Sequence, residues 1–249
     1  MTEKEKVEFA EKVLSYCEKY YVPFEFFIEI LEDQKVIPMI RGKGLEYNVF
    51  IILKTVLPSG TWGIQKLNLN AQQGLTDEDI SITHRRTGII LKIESKSAVR
   101  GSIRDGEKSK IIKEPHFKVK CHRSRSNIQL ASSSNDRYAE NEFDVIITNP
   151  VNALFLGNTI GENFELIDIG KIKQFLFEHY SAHDEIELVN KAANDWRFVI
   201  PGDISEKGFI PRTPYVKLSN DEHWHSINML EERLLTLVAE KRNIVSRRI

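Results

Sequence analysis

Two short apolar runs joined by a tight turn are the feature that most constrains the fold of this chain. Residues 79–83 alternate isoleucine with polar side chains, and residues 88–96 place Leu91 and Ile93 on one side of an extended chain and Glu94 and Lys96 on the other. Alternation with a period of two is typical of half-buried strands. The pattern therefore predicts a β-hairpin that turns at residues 85–87.

Other patterns predict helices and strands around this hairpin. Apolar spacing of three and four predicts helices over residues 4–33, interrupted at Pro23, and over 45–57, 169–180 and 224–243. Strands are predicted over 62–70, 116–121 and 143–148, with 151–156 continuing the last, and prolines predict irregular chain over 201–214. A length of 249 residues suits one large α/β unit.

The composition excludes several classes of protein. No apolar run approaches the roughly 18 residues of a membrane helix, and the charged N-terminus is unlike a signal peptide. The two cysteines, Cys17 and Cys121, cannot build a disulfide framework or a four-thiolate zinc site. We therefore expect a cytoplasmic protein with no membrane partner.

The net charge of −1 hides a strongly basic segment. Residues 85–125 hold thirteen basic and four acidic side chains, so this segment carries about +9 and the remainder about −10. Such segregation predicts a local anion-binding surface, and a lysine-rich solvated loop is the alternative. Charge alone does not decide between the two.

The side chains that could bind a metal ion or assist catalysis are concentrated in the hairpin. If its strands pair, the Asp79 and Glu94 carboxylates can converge, with Lys96 alongside. Two carboxylates at a sheet edge suit Mg²⁺, and the Ser95 backbone carbonyl is a further candidate ligand. Such an ion can polarise a phosphoryl oxygen and lower the pKa of a bound water, while the lysine ammonium orients the nucleophile or offsets developing negative charge. The set suits phosphodiester hydrolysis, and an ordinary surface hairpin with a Glu/Lys pair is the alternative.

This arrangement resembles the PD-(D/E)XK nucleases, the restriction-endonuclease-like superfamily. Their motif is an Asp at a strand start, a variable gap, and an apolar strand ending in Glu-x-Lys, matched here by Asp79, 14 residues, and Glu94-Ser95-Lys96. Glu46 stands where the family often has a further acidic residue on the preceding helix. The residue before Asp79 is glutamate rather than proline, and Asp77 competes as the first acid. The resemblance covers roughly residues 41–150.

The resemblance implies an α/β fold, with a restriction-endonuclease-like core of a mixed central sheet flanked by helices and added N- and C-terminal helices. We expect a single nuclease domain over residues 1–249, with its core at about 41–180, a helical part at 1–40, and a part at 181–249 for DNA recognition or dimerisation. The implied catalytic residues are Asp79, Glu94, Lys96 and Glu46, and the implied metal ligands are Asp79, Glu94 and Ser95. The implied cofactor is Mg²⁺, with Mn²⁺ as a substitute.

The implied function is a Mg²⁺-dependent, sequence-specific endonuclease of the type II restriction kind, acting on double-stranded DNA. It would work in a prokaryotic cytoplasm, bound to the nucleoid when on DNA, beside a cognate DNA methyltransferase. A repair or structure-specific nuclease and a non-catalytic nucleic-acid-binding module are the alternatives.

If the chain binds DNA, its binding surface should contain side chains able to contact phosphates or base edges. The candidate DNA contacts are Arg41, Lys43, Arg100, Arg104, Lys120, Arg123, Arg125, Asn127 and Arg212. The apolar face of the C-terminal helix either pairs two protomers as a homodimer or completes the core of one.

Overall fold

The computed structural model describes residues 1–67, 79–106, 112–123, 136–156, 165–167 and 170–246. They fall into two units: a first unit, Met1–Gly44, and a second unit that holds the described residues from Leu45 onwards. The α-helices are α1 Glu3–Tyr20, α2 Phe27–Leu31, α3 Ile37–Val56, α4 Gly170–Tyr180, α5 Glu185–Asn194, α6 Pro201–Ile204 and α7 Leu230–Ser246. The 3₁₀ turns are Phe24–Phe26, Val151–Leu154 and Ile227–Met229. No helix in these ranges is long and apolar enough to span a membrane.

Six strands of the second unit form one mixed sheet. Together with two strands of a separate pair, the described strands are β1 Trp62–Lys66, β2 Ile80–His84, β3 Ile90–Ser95, β4 His116–Lys118, β5 Val145–Thr148, β6 Arg197–Val199, β7 Tyr215–Lys217 and β8 His225–Ser226. Their order in the large sheet is β1-β2-β3-β5-β6-β8, while β4 and β7 form a separate antiparallel pair. β3 and β5 run parallel, and the other neighbours of the large sheet are antiparallel. The predicted class, a mixed sheet flanked by helices, is confirmed.

The predicted hairpin is the pair β2–β3. Ile80 lies opposite Ile93, and Ile82 lies opposite Leu91. The turn is closed by the Gly88 N–H, which donates to the His84 carbonyl at 2.9 Å. Gly88 has φ +70°, a left-handed conformation that glycine adopts without strain.

Both faces of the sheet are buried. One face packs against α3 and α7, through the side chains of Val49, Leu53, Ile82, Leu91, Ile147, Leu230 and Leu234. The other face packs against α4 and α5, through Ile146, Leu176, Leu188 and Val199. The apolar face of α7 therefore completes the core of the second unit, which is the second of the two alternatives that its sequence pattern allowed.

Some local predictions were wrong. Residues 151–154 form a 3₁₀ turn rather than a continued strand, because Pro150 has no N–H to extend a ladder. The C-terminal helix begins at Leu230 instead of 224, since residues 225–226 pair with β6. Helix α3 begins at Ile37 rather than at 45, and α6 lies inside a stretch predicted to be irregular. Helix α5 was not predicted; its N-cap Asp184 accepts a bond from the Glu187 N–H at 2.8 Å.

Adjacent positions of β3 test this burial pattern. Leu91 is fully buried and Ile90 is 54% exposed. We expect Leu91→Ala to lower the free energy of unfolding by about 2–5 kcal/mol, because it leaves a cavity in the core. Ile90→Ala, the matched control, should cost less than about 1 kcal/mol. Urea denaturation checks this, and equal losses would contradict the assignment of faces.

Candidate active site

Asp79 lies just before β2, opposite the end of β3. Ile80 pairs with Ile93, so the next position along the ladder brings Asp79 level with Glu94. The Asp79 Oδ2 atom accepts a bond from the Ser95 backbone N–H at 2.9 Å and another from the Ser95 hydroxyl at 2.5 Å. These two donors anchor the Asp79 carboxylate on the end of β3. The carbonyl of Ser95 as a metal ligand stays a prediction.

Glu94 and Lys96 form a buried ion pair at the same end of β3. Lys96 Nζ lies 2.5 Å from Glu94 Oε1, and the two side chains are only 13% and 5% exposed. The Lys96 backbone N–H donates to the Ile147 carbonyl at 2.9 Å, which continues the pairing of β3 with β5. The backbone of the sheet therefore holds both residues of the pair in place.

Two aromatic rings enclose the Lys96 ammonium. Its Nζ atom donates to the Tyr138 hydroxyl at 3.2 Å, and it lies 4.5 Å from the centroid of the Tyr138 ring and 5.9 Å from that of Phe143. Burial opposes the charge of Lys96, but the Glu94 carboxylate and the Tyr138 phenol together hold its pKa above the ordinary lysine value. Lys96 is therefore a cation at neutral pH.

The Cys121 thiol lies in the field of the same ion pair. Burial raises the pKa of Cys121 to about 12, with Lys96 lowering it and Glu94 raising it. A thiol with this pKa is neutral at physiological pH and is a poor nucleophile and metal ligand. Cys121 is thus a buried packing residue beside the site.

Glu46 lies near Asp79 and is paired with a lysine of β1. Glu46 Oε2 is 2.6 Å from Lys66 Nζ, and the two side chains are 12% and 8% exposed. Lys66 is the register partner of Ile80, so this pair borders the start of β2. Burial raises the pKa of Asp79; the bonds from Ser95 and the charge of Lys96 oppose the rise, while Glu46 adds to it. Positive charge beside Asp79 would favour its ionised form.

Two residues of this site, Lys66 and Tyr138, were not predicted from any sequence pattern. Lys66 ends a strand of mixed polarity, and its place beside Asp79 depends on the register of β1 against β2. Tyr138 stands 42 positions from Lys96, its hydrogen-bond partner, next to a stretch rich in Ser and Asn. No local pattern links residues so far apart.

The predicted DNA contacts occupy different surroundings. Arg41 and Lys43 belong to the part of α3 in the first unit. Arg125 and Asn127, together with the alternative acid Asp77, lie outside the described residues.

The remaining five predicted contacts lie in the second unit. Lys120 is exposed and Arg100 is half-buried. Arg104, also exposed, donates to the carbonyls of Gly101 and Ile103 at 2.8 and 2.6 Å. Arg212 pairs with Asp136 at 2.6 Å.

Arg123 is the predicted contact that reaches the site. It pairs with Glu142, and its guanidinium carbon lies 5.0 Å from the centroid of the Tyr138 ring. The Tyr138 ring therefore has cations of two kinds against it, Lys96 and Arg123.

The donor set suits a hard divalent cation better than a soft one. Asp79 and Glu94 offer carboxylate oxygens, and among the described residues both bonds to Asp79 go to Oδ2 rather than Oδ1. The described ranges contain no cluster of three or more His, Cys, Asp or Glu side chains able to hold a metal. Mg²⁺ commonly binds one or two carboxylates and takes its other ligands from water and phosphate. Asp79 and Glu94 fit that mode of binding.

Comparisons with known proteins give little guidance. No protein-family model matches the chain, and no curated protein matches it. Among solved structures, a bacterial homing endonuclease is similar at 13% identity and a TM-score of 0.36, over 85% of this chain and 99% of that one. A likeness this distant does not establish an activity.

The buried ion pair makes a prediction for stability. Glu94→Gln keeps the shape of the side chain but leaves the Lys96 ammonium without its carboxylate, so we expect the free energy of unfolding to fall by about 3–5 kcal/mol. The control is Glu185→Gln, which breaks the exposed Lys173–Glu185 pair, at 2.8 Å, between α4 and α5. That change should cost at most about 1 kcal/mol. Denaturant titration in EDTA compares the two, and similar losses would show that burial adds nothing to the first pair.

Proposed function

We propose that the chain is a Mg²⁺-dependent endonuclease that cuts double-stranded DNA at specific sequences, in the manner of a type II restriction enzyme. The observation that carries this proposal is the register of β2 and β3, which brings Asp79 level with Glu94 and with the buried Glu94–Lys96 ion pair at adjoining strand ends. These are the residues by which the sequence resembles the PD-(D/E)XK nucleases. Their burial on a rigid sheet supports a chemical role rather than a surface one.

Each residue has a role that its geometry supports. Asp79 and Glu94 supply oxygen ligands, and the Ser95 N–H and hydroxyl orient the Asp79 carboxylate. When bound, Mg²⁺ polarises a phosphoryl oxygen and lowers the pKa of a coordinated water. Lys96, held as a cation by Glu94, orients the attacking water or offsets the negative charge that develops on the phosphate.

The surroundings of Lys96 strengthen its electrostatic effect. Tyr138 and Phe143 cover the ammonium with apolar ring surface. Excluding water lowers the local dielectric constant and increases the interaction between an ammonium and a phosphate. The Tyr138 hydroxyl oxygen also accepts a hydrogen bond from the Lys96 ammonium and so helps to hold it in place.

The choice of DNA as substrate is supported by exposed basic residues of the second unit. Lys120 and Arg104 are exposed, as phosphate contacts must be. Residues 124–135, rich in Ser and Asn and containing Arg125 and Asn127, connect Arg123 to Asp136. The Arg123 N–H donates to the Asp136 carbonyl at 2.9 Å, and the Arg123 guanidinium lies against the Tyr138 ring of the proposed site.

A cleavage assay tests the proposal. With Mg²⁺ or Mn²⁺, we expect the wild-type chain to cut DNA of diverse sequence into discrete fragments, and EDTA should abolish cutting. Glu94→Ala and Lys96→Ala should reduce the rate at least about 100-fold, because each removes charge stabilisation from the transition state. The control, Glu185→Gln, should cut like the wild type. Unchanged cutting by Glu94→Ala and Lys96→Ala would show that the site is assigned wrongly.

The same assay separates the related functions. Fragments with one common end sequence would support restriction, and DNA from a host that carries the cognate methyltransferase should then resist cutting. Cutting confined to mismatched or branched DNA would identify a repair nuclease. Binding without product under any metal condition would identify a non-catalytic module.

Salt dependence tests the proposed DNA surface. Lys120→Gln should weaken binding similarly for all sequences and reduce the slope of log K against log [salt] by about 1, because one phosphate contact is lost. Lys171→Gln, an exposed lysine of α4, is the control and should leave the slope unchanged. Fluorescence anisotropy in EDTA, over about 50–200 mM salt, gives both slopes. Identical slopes for the two variants would remove Lys120 from the interface.

A further inference from the structure

The first unit, Met1–Gly44, leaves most of its apolar surface exposed. Cys17 is its one buried hydrophobic side chain, although every residue from 1 to 44 is described. Thirteen large hydrophobic side chains of this unit are between 40% and 94% exposed. Among them are Phe9, Tyr16, Tyr20, Phe24, Phe26 and Ile28. We call this set of side chains the N-terminal apolar surface.

The exposed side chains are organised rather than scattered. Phe9, Tyr16 and Tyr20 stand at positions i, i+7 and i+11 of α1, which places them on one stripe of the helix. The rings of Tyr16 and Tyr20 lie 4.8 Å apart, and the ring of Phe27, at the start of α2, lies 6.5 Å from that of Tyr16. The aromatic stripe of α1 therefore continues onto α2.

A unit of this kind lacks the usual sources of stability. Domains below about 40 residues generally need disulfides, metals or oligomerisation, because they bury too little surface alone. Cys17 is a free thiol, and the described residues contain no metal-binding cluster. The capping box of Thr2 and Glu5 defines where α1 begins but covers none of its apolar face. Oligomerisation is a further means by which so small a unit can bury its apolar surface.

We propose that the N-terminal apolar surface is a dimer interface and that a second copy of this chain covers it. Thirteen large side chains that are about half exposed offer roughly 1,000 Å² of apolar area. A standard stable interface buries about 800 Å² on each partner, so the area suffices. The surface pairs with itself about a two-fold axis, as most homodimer interfaces do.

The charges of the unit favour a second copy over other occupants. Residues 1–44 carry nine acidic and seven basic side chains, interspersed along the helices. A near balance of charge lets two identical surfaces approach without strong repulsion. Helices that bind anionic lipid surfaces are instead rich in Lys and Arg.

The proposal is independent of the proposed nuclease function and is tested without DNA or metal. In sedimentation velocity runs on the full chain we expect a concentration-dependent monomer–dimer equilibrium. Phe9→Glu on α1 and Ile28→Glu on α2 should each weaken dimerisation at least about tenfold, because each places a charge in the apolar interface. The matched control is Ile186→Glu, the same change at a side chain that is 75% exposed on α5, and it should dimerise like the wild type.

Lys96→Ala should also dimerise like the wild type, so loss of cleavage and loss of assembly are read separately. Far-UV circular dichroism reports whether each variant keeps its helices. Hydrogen exchange on the wild type requires no substitution: amides of α1 should exchange more slowly at high protein concentration, while those of α4 should not change.

Three outcomes would overturn the proposal. One is a wild type that stays monomeric at every concentration, and another is a dimer that survives both Phe9→Glu and Ile28→Glu. The third is exchange in α1 that does not depend on concentration. A monomer that instead co-sediments with anionic phospholipid vesicles would identify a lipid surface as the occupant.

Discussion

The parallel pairing of β3 with β5 is the constraint on which the second unit depends. Glu94 lies opposite Ile146 in this pair, on the face of the sheet that packs against α4 and α5. Parallel neighbours need a long connection, and here residues 96–144 make it. Tyr138 and Cys121 both belong to that connection and lie around Lys96. The topology of the sheet therefore turns what could have been a surface carboxylate into an interior one, and the alternative of an ordinary surface Glu/Lys pair does not hold.

A buried ion pair needs an explanation beyond stability. Moving two charges out of water costs several kcal/mol for each ion, and apolar side chains of similar volume often stabilise a core as well or better. Glu94 and Lys96 could thus be replaced without loss to the fold if packing were their purpose. The proposed function supplies such an explanation, because the pair lies level with Asp79, a carboxyl whose pKa is raised by burial and by Glu46. Acidic groups that burial disfavours and an ammonium held in its charged form are features of functional sites.

Local patterns predicted the acids of the site but not their partners. The hairpin β2–β3 follows from period-two alternation over nearly its whole length, and this placed Asp79 beside Glu94. Strands β6, β7 and β8 have three, three and two residues, too few for any periodicity to show. Lys66 reaches Glu46, and Tyr138 reaches Lys96, only through the register of separate strands and a long connection. Such contacts depend on tertiary packing, which local sequence patterns do not predict.

Helices α1 and α7 show the same limit for assembly. Similar apolar spacing predicted both, yet Leu230 and Leu234 of α7 are buried while Phe9 and Tyr16 of α1 are exposed. An apolar stripe indicates that a helix face packs against another apolar surface, but it does not indicate whether that surface belongs to the same chain. The apolar face of α7 is buried against the sheet, whereas the N-terminal apolar surface of the first unit is exposed. The first unit contains none of the residues of the proposed active site. The proposed chemistry and the proposed assembly thus belong to different parts of one chain, so we expect substitutions in one part to leave the other intact.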